Sequence, residues 1–208
     1  MRHEDVLRGL VLPFDGAHFL LVYSSGFGTG ANLRRVDGKR VATAASQPAM
    51  SPFPISGEAP GLRAPSVAFD GTNHVVAWME GSQVRAARVS PGGAVLDTTP
   101  WEMSPVESSL EQRPTVVSDG ISSLVLWASR PPEGSTLNTI HGTRTMAFDS
   151  TPGTPQVLAA APWSDTFAAG TSVKRGQFLV AYTPGSRGRR MARTGSSRAL
   201  PATTPRPR

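Results

Sequence analysis

Apolar residues in this chain cluster in short runs rather than at helical spacing. The runs are residues 19–23, 75–78, 124–127 and 178–182, each four or five residues long. They do not alternate apolar with polar, so each predicts a strand buried on both faces. A short apolar segment precedes the second and third runs, SVAF at 66–69 and TVVS at 115–118. After each of the last three runs comes a roughly alternating segment: QVRAARVS at 83–90, IHGTRTM at 140–146 and RRMART at 189–194. Alternation predicts strands with one polar face. A second glycine turn follows (Gly38, Gly93, Gly153, Gly195), then a short closing apolar segment: Val41, Val95-Leu96, Val157-Leu158, Ala199-Leu200. A helix over AARVSPGGAVL is blocked by Pro91 and two glycines.

The pattern repeats. FDGAHFLLVY at 14–23, FDGTNHVVAW at 69–78 and SDGISSLVLW at 118–127 share one shape, and GQFLVAY at 176–182 is a weaker fourth copy. Turn glycines Gly16, Gly71, Gly120 and Gly176 are spaced by 55, 49 and 56 residues. An aromatic follows seven residues after the first three glycines (Tyr23, Trp78, Trp127) and six after the fourth (Tyr182). Asp15, Asp70 and Asp119 stand before the first three glycines. Asp-Gly is turn chemistry, because glycine accepts positive φ and the Asp side chain bonds nearby backbone amides. Repetition on this scale predicts an array of units. The units run over about 7–61, 62–112, 113–170 and 171–200, within one repeat domain of 1–200, followed by a disordered basic tail at 201–208.

Four short strands per unit, the second buried on both sides, fit four-stranded sheets stacked face to face. The expected fold is all-β: a β-propeller-like array of about four four-stranded antiparallel blades. The motif FDG-x-x-(apolar)-V-x-W, then G-x-x-(V/I)-x-(A/G)-x-R, then P-x-G-x-V-L is clearest at 65–98. It resembles the tandem propeller-type repeats of large secreted and surface proteins of bacteria. The resemblance covers about 190 residues unevenly: the third copy carries the insertion PPEGSTLN at 131–138, and the fourth loses Asp-Gly for Lys174-Arg175-Gly176. It implies a fold, an extracellular or cell-envelope setting and no particular reaction. Four blades leave two expectations: a small complete ring, or an incomplete ring cut from a longer parent with additional repeats. The second is preferred, because the chain starts at a strand and MRHEDVLRGLVLPFDG is not a secretory signal.

Composition changes this picture little. The 208 residues are 38% hydrophobic and 17% charged, with 21 Gly and 19 Pro, which suits a turn-rich core domain. Cysteine is absent, which excludes disulfides and thiolate metal sites. No apolar run is long enough to predict a membrane span. The net charge of +6 is a tail property. Arg187, Arg189, Arg190, Arg193, Arg198, Arg206 and Arg208 supply seven positive charges, and without them 14 basic residues face 15 acidic ones. A linear basic tail without interleaved aromatics does not predict nucleic-acid binding.

Candidate chemistry is sparse. The recurring Asp15, Asp70 and Asp119 read either as a ring of carboxylates for a cation or as turn formers. The second is preferred, because the calcium pattern D-x-D-x-D-G is absent. His3, His18, His74 and His141 include no zinc pair. The sialidase box S-x-D-x-G-x-x-W, the nucleophile elbow G-x-S-x-G and a phosphate loop are also absent. No catalytic residue, cofactor or metal is expected. Each inter-unit loop holds a Pro-aromatic pair, Pro52-Phe53, Pro100-Trp101 and Pro162-Trp163. Phe53, Trp101 and Trp163 are candidate binding-loop aromatics, or else a structural device repeated in each crossover. The expected function is a non-catalytic scaffold that presents loops to a protein or carbohydrate. The alternatives are a fragment of a propeller-class hydrolase or lyase, for which Glu102, Glu107 and Glu111 form the only acidic cluster, and a non-functional remnant of a longer gene.

Overall fold

The computed structural model describes residues 12–26, 33–43, 50–104, 109–110, 113–130, 137–162, 168–174 and 176–182. Among them there is no helix; the chain is all-β, and every strand pairing is antiparallel. The first sheet is β1 (His18–Gly26), β2 (Leu33–Ala42) and β3 (Phe53–Pro54) in that order, with β4 (Ala59–Pro60) also on β2. The second runs β5 (Arg63–Phe69), β6 (His74–Glu80), β7 (Gln83–Val89), β8 (Trp101–Glu102). The third runs β10 (Thr115–Ser118), β11 (Ser122–Arg130), β12 (Leu137–Met146), β13 (Gln156–Pro162), with β9 (Ser109–Leu110) on β11. A two-stranded fourth sheet pairs β14 (Ala168–Lys174) with β15 (Gln177–Tyr182).

Three apolar layers hold the sheets together in chain order. Leu20, Val22 and Val36 of the first sheet meet Val67, Val76 and Trp78 of the second. The opposite face of the second sheet, Val75, Ala77 and Met79, meets Val116, Val125 and Trp127 of the third. Leu124 and Leu126, on the far face of β11, meet Phe178 and Val180 of the fourth. Strands β6 and β11 therefore bury both faces, which is why their sequences carry unbroken apolar runs.

Two expectations about the outer strands need correction. Val95 makes only an isolated bridge to Val89, and the paired fourth strand of the second sheet is Trp101–Glu102. The reason is Asp97, whose Oδ2 accepts the Arg88 backbone N–H at 2.7 Å and so takes a position in the ladder that a strand would need. Gly38 is not a turn residue. It lies within β2, opposite Phe53, and a Cβ there would come within 2.7 Å of the Phe53 ring. The equivalent place on β7 is the small Ala86, opposite Trp101, and on β12 it is Gly142, where a Cβ would meet Leu158 at 2.7 Å. A small residue on the third strand leaves room for a bulky one on the fourth. The alternating segment at 189–194, Gly195 and Ala199-Leu200 lie outside the described residues.

Candidate functional site

The residue types able to do chemistry repeat from sheet to sheet around the Asp-Gly turns that lead into β1, β6 and β11. Each turn has the same internal wiring. Asp15 Oδ1 accepts the backbone N–H groups of Ala17 and His18 at 2.8 and 2.7 Å. Asp70 Oδ1 accepts those of Thr72 and Asn73 at 2.9 and 2.7 Å. Asp119 Oδ1 accepts those of Ile121 and Ser122 at 3.0 and 2.8 Å. This is the Asx-turn geometry that lets a carboxylate replace a backbone acceptor. Gly16, Gly71, Gly120 and Gly176 have φ of 101°, 92°, 85° and 79°, in the region where glycine is favoured.

Successive turns also touch one another. A Cβ at Gly71 would lie 2.2 Å from the Gly120 carbonyl oxygen, so the second turn is pressed against the third. The Gly176 N–H donates to Asp119 Oδ2 at 2.6 Å and ties the third turn to the fourth. Burial alone would raise the Asp119 pKa, but the amide hydrogen bonds from Ile121, Gly176 and Ser122 outweigh it and hold the pKa below its ordinary value. The same balance, with bonds from His18 and Ala17, lowers that of Asp15. Asp70 Oδ2 is buried with no hydrogen-bond partner among the described residues.

The motif position (A/G)-x-R places an arginine near each turn. Arg40 lies 2.9 Å from His18 Nδ1 through one guanidinium nitrogen. Arg88 forms a two-pronged pair with Asp97 at 2.7 and 3.1 Å, stacks over Trp101 and donates to the Asp149 carbonyl at 2.8 Å. The hydrogen bonds it donates to the Asp97 carboxylate keep the guanidinium charged more firmly than usual. Arg144 reaches Asp119 Oδ2 at 3.5 Å and Ser122 Oγ at 3.1 Å. The carboxylates and guanidiniums of this row thus serve the turns and one another.

The histidines are dispersed. His74 is buried against Phe69, and burial lowers its pKa. His141 stacks on Trp127, with Nε2 2.8 Å from Ser129 Oγ, and burial lowers its pKa too. Among the described residues no group of three or more His, Asp or Glu is placed to hold a metal. Nor is any helix there long and apolar enough to cross a membrane.

Phe53 and Trp101 stand in the short fourth strands β3 and β8 rather than in open loops. A serine three residues on completes each edge: Ser56 Oγ accepts the Val36 N–H at 2.9 Å and Ser104 Oγ accepts the Val84 N–H at 2.8 Å. The Pro-aromatic-x-(Ile/Met)-Ser motif at 52–56 and 100–104 carried this signal in the sequence. Trp163, Glu107 and Glu111 lie outside the described residues, as does the Tyr182 side chain at the end of β15. Glu102 pairs with Arg85 at 2.6 Å. One residue outside the repeat motif is conspicuous. Phe148, in the loop between β12 and β13, is 85% exposed.

The chain matches no protein-family model and no curated protein.

Proposed function

We propose that this chain is a non-catalytic scaffold, an arc of β-propeller-type blades from a secreted or surface bacterial protein, whose loops bind a protein or a carbohydrate. The radial reading is supported by the first strands β5, β10 and β14, which neighbour one another in order. Ser66 Oγ on β5 accepts the Val116 N–H of β10 at 3.0 Å. The fourth strands β3, β8 and β13 lie at the opposite sheet edges. The non-catalytic reading is supported by the row of turns, whose Asp Oδ1 atoms are each committed to two amides of their own turn.

The observation that carries binding is Phe148. Its loop is held at three points: Asp149 N–H to Met146 O at 3.2 Å, Gly153 N–H to Arg144 O at 2.9 Å, and Arg88 to Asp149 O at 2.8 Å. An exposed aromatic on a pre-organised loop contributes contact area at small entropic cost. The test is an array of bacterial polysaccharides and surface proteins probed with wild type and Phe148→Ala. Wild type should bind one class, and the variant should bind it about tenfold more weakly with an unchanged melting temperature. Equal binding by both removes the loop from the reading. Release of reducing ends from any polysaccharide on the array would replace the scaffold with an enzyme.

A further inference from the structure

The repeat register says which face of each sheet meets its predecessor. Counted from the turn glycine, the positions four before, five after and seven after are Val67, Val76 and Trp78 in the second unit. In the third they are Val116, Val125 and Trp127. All six are buried, the first three against the first sheet and the others against the second. In the first unit the same positions are Leu12, Leu21 and Tyr23. Here Leu12 is 38% exposed, and Leu21 and Tyr23 are only half-buried. Their face looks away from the second sheet, because Leu20 and Val22 look toward it. The residues of an inter-sheet contact are present, and no described sheet covers them.

The other end of the stack is open in the complementary sense. Phe178 and Val180 face the third sheet. Leu179, between them, faces away and is 37% exposed. Leu12 and Leu179 are both partly exposed, and the described strands of the fourth sheet are not among the main neighbours of the first.

We propose that the open face of the first sheet receives the fourth sheet of a second copy of this chain, head to tail. The contact would continue the one already made three times within the chain, forward face on backward face. The polar groups on the open face suit burial. Asp37 already pairs with Arg35 at 2.8 Å and with the Ser25 hydroxyl, so docking strands no carboxylate there. Lys39 replaces the small Ala87 and Thr143 of the later units, and its long stem can carry the ammonium to the rim. A head-to-tail contact closes into a ring if the rotation allows and extends into a filament if it does not. The proposal rests on the repeat register alone and is independent of what the loops bind.

The experiment is sedimentation equilibrium on the full chain and on two variants, Leu12→Asp and Leu179→Asp. Both positions are exposed, so each variant should keep the wild-type circular dichroism and melting temperature at low concentration; Tyr23→Asp is a second probe of the same face. Wild type should have twice the 21.9 kDa chain mass, or a higher multiple. Each variant should sediment as a monomer. A monomeric wild type overturns the proposal. So does a Leu179→Asp protein that assembles like wild type, which would mean first sheet on first sheet. A Leu12→Asp protein that assembles like wild type overturns it equally.

Discussion

Trp78 and Tyr23 occupy the same place in the repeat and have opposite surroundings. Trp78 is sealed between the first and second sheets, whereas Tyr23 is half-buried on an open face. Trp78→Ala should therefore cost about 3–5 kcal/mol of stability, and Tyr23→Ala about 1 kcal/mol in the monomer. Urea unfolding of both variants below the assembly concentration measures the pair. Equal costs would refute the register on which the stack is built. Ser104 makes a second test at this scale. Its hydroxyl is the acceptor for the buried Val84 N–H, so Ser104→Ala should cost about 1–3 kcal/mol, and Ser104→Thr much less. A Ser104→Ala loss below about 0.3 kcal/mol would show that another acceptor reaches that amide.

At the scale of elements, the Asp-Gly hairpin turn separates backbone strain from crowding. Alanine at Gly16 meets nothing within 4 Å and suffers only the positive φ of 101°. That costs about 1–2 kcal/mol. Alanine at Gly71 suffers a similar φ and also drives its methyl to 2.2 Å from the Gly120 carbonyl. Gly71→Ala should lose clearly more stability than Gly16→Ala, and a thermal melt of the two proteins decides it. Local pattern made these turns and the doubly buried strands readable, because both are written within ten contiguous residues. The fourth strands were harder. Val95-Leu96 has the right apolarity, but the pairing depends on Asp97 reaching the Arg88 amide, a contact across nine residues that no periodicity reports. Gly38 misled for a related reason. Sequence shows a glycine as turn or close approach without distinction, and only the Phe53 ring opposite decides between them. Phe148 is not legible as a candidate in the sequence, because its exposure depends on how the loop is tied down by contacts from Met146, Arg144 and Arg88.

For the whole molecule, the stacking of sheets makes stability depend on pH in two separate windows. His74 and His141 are withdrawn from water, and burial lowers both pKa values below the ordinary 6.5. A depressed histidine pKa means that the unfolded chain binds a proton which the folded chain refuses. Stability is then full above about pH 6.5 and declines as the pH falls below it, by up to about 1.4 kcal/mol per pH unit for each histidine. Asp15 and Asp119 act in a lower window. Their folded pKa values lie below the ordinary 3.8, so the stability they contribute is present above that pH and is lost as the pH falls through it. Urea unfolding at a series of pH values should show both declines. The double variant His74→Gln, His141→Gln should flatten the upper one and leave the lower. Slope is the useful readout, because it reports proton uptake even if the substitutions also shift overall stability. A double variant with the wild-type slope between about pH 6.5 and 5 would show that neither imidazole is held neutral by the stack.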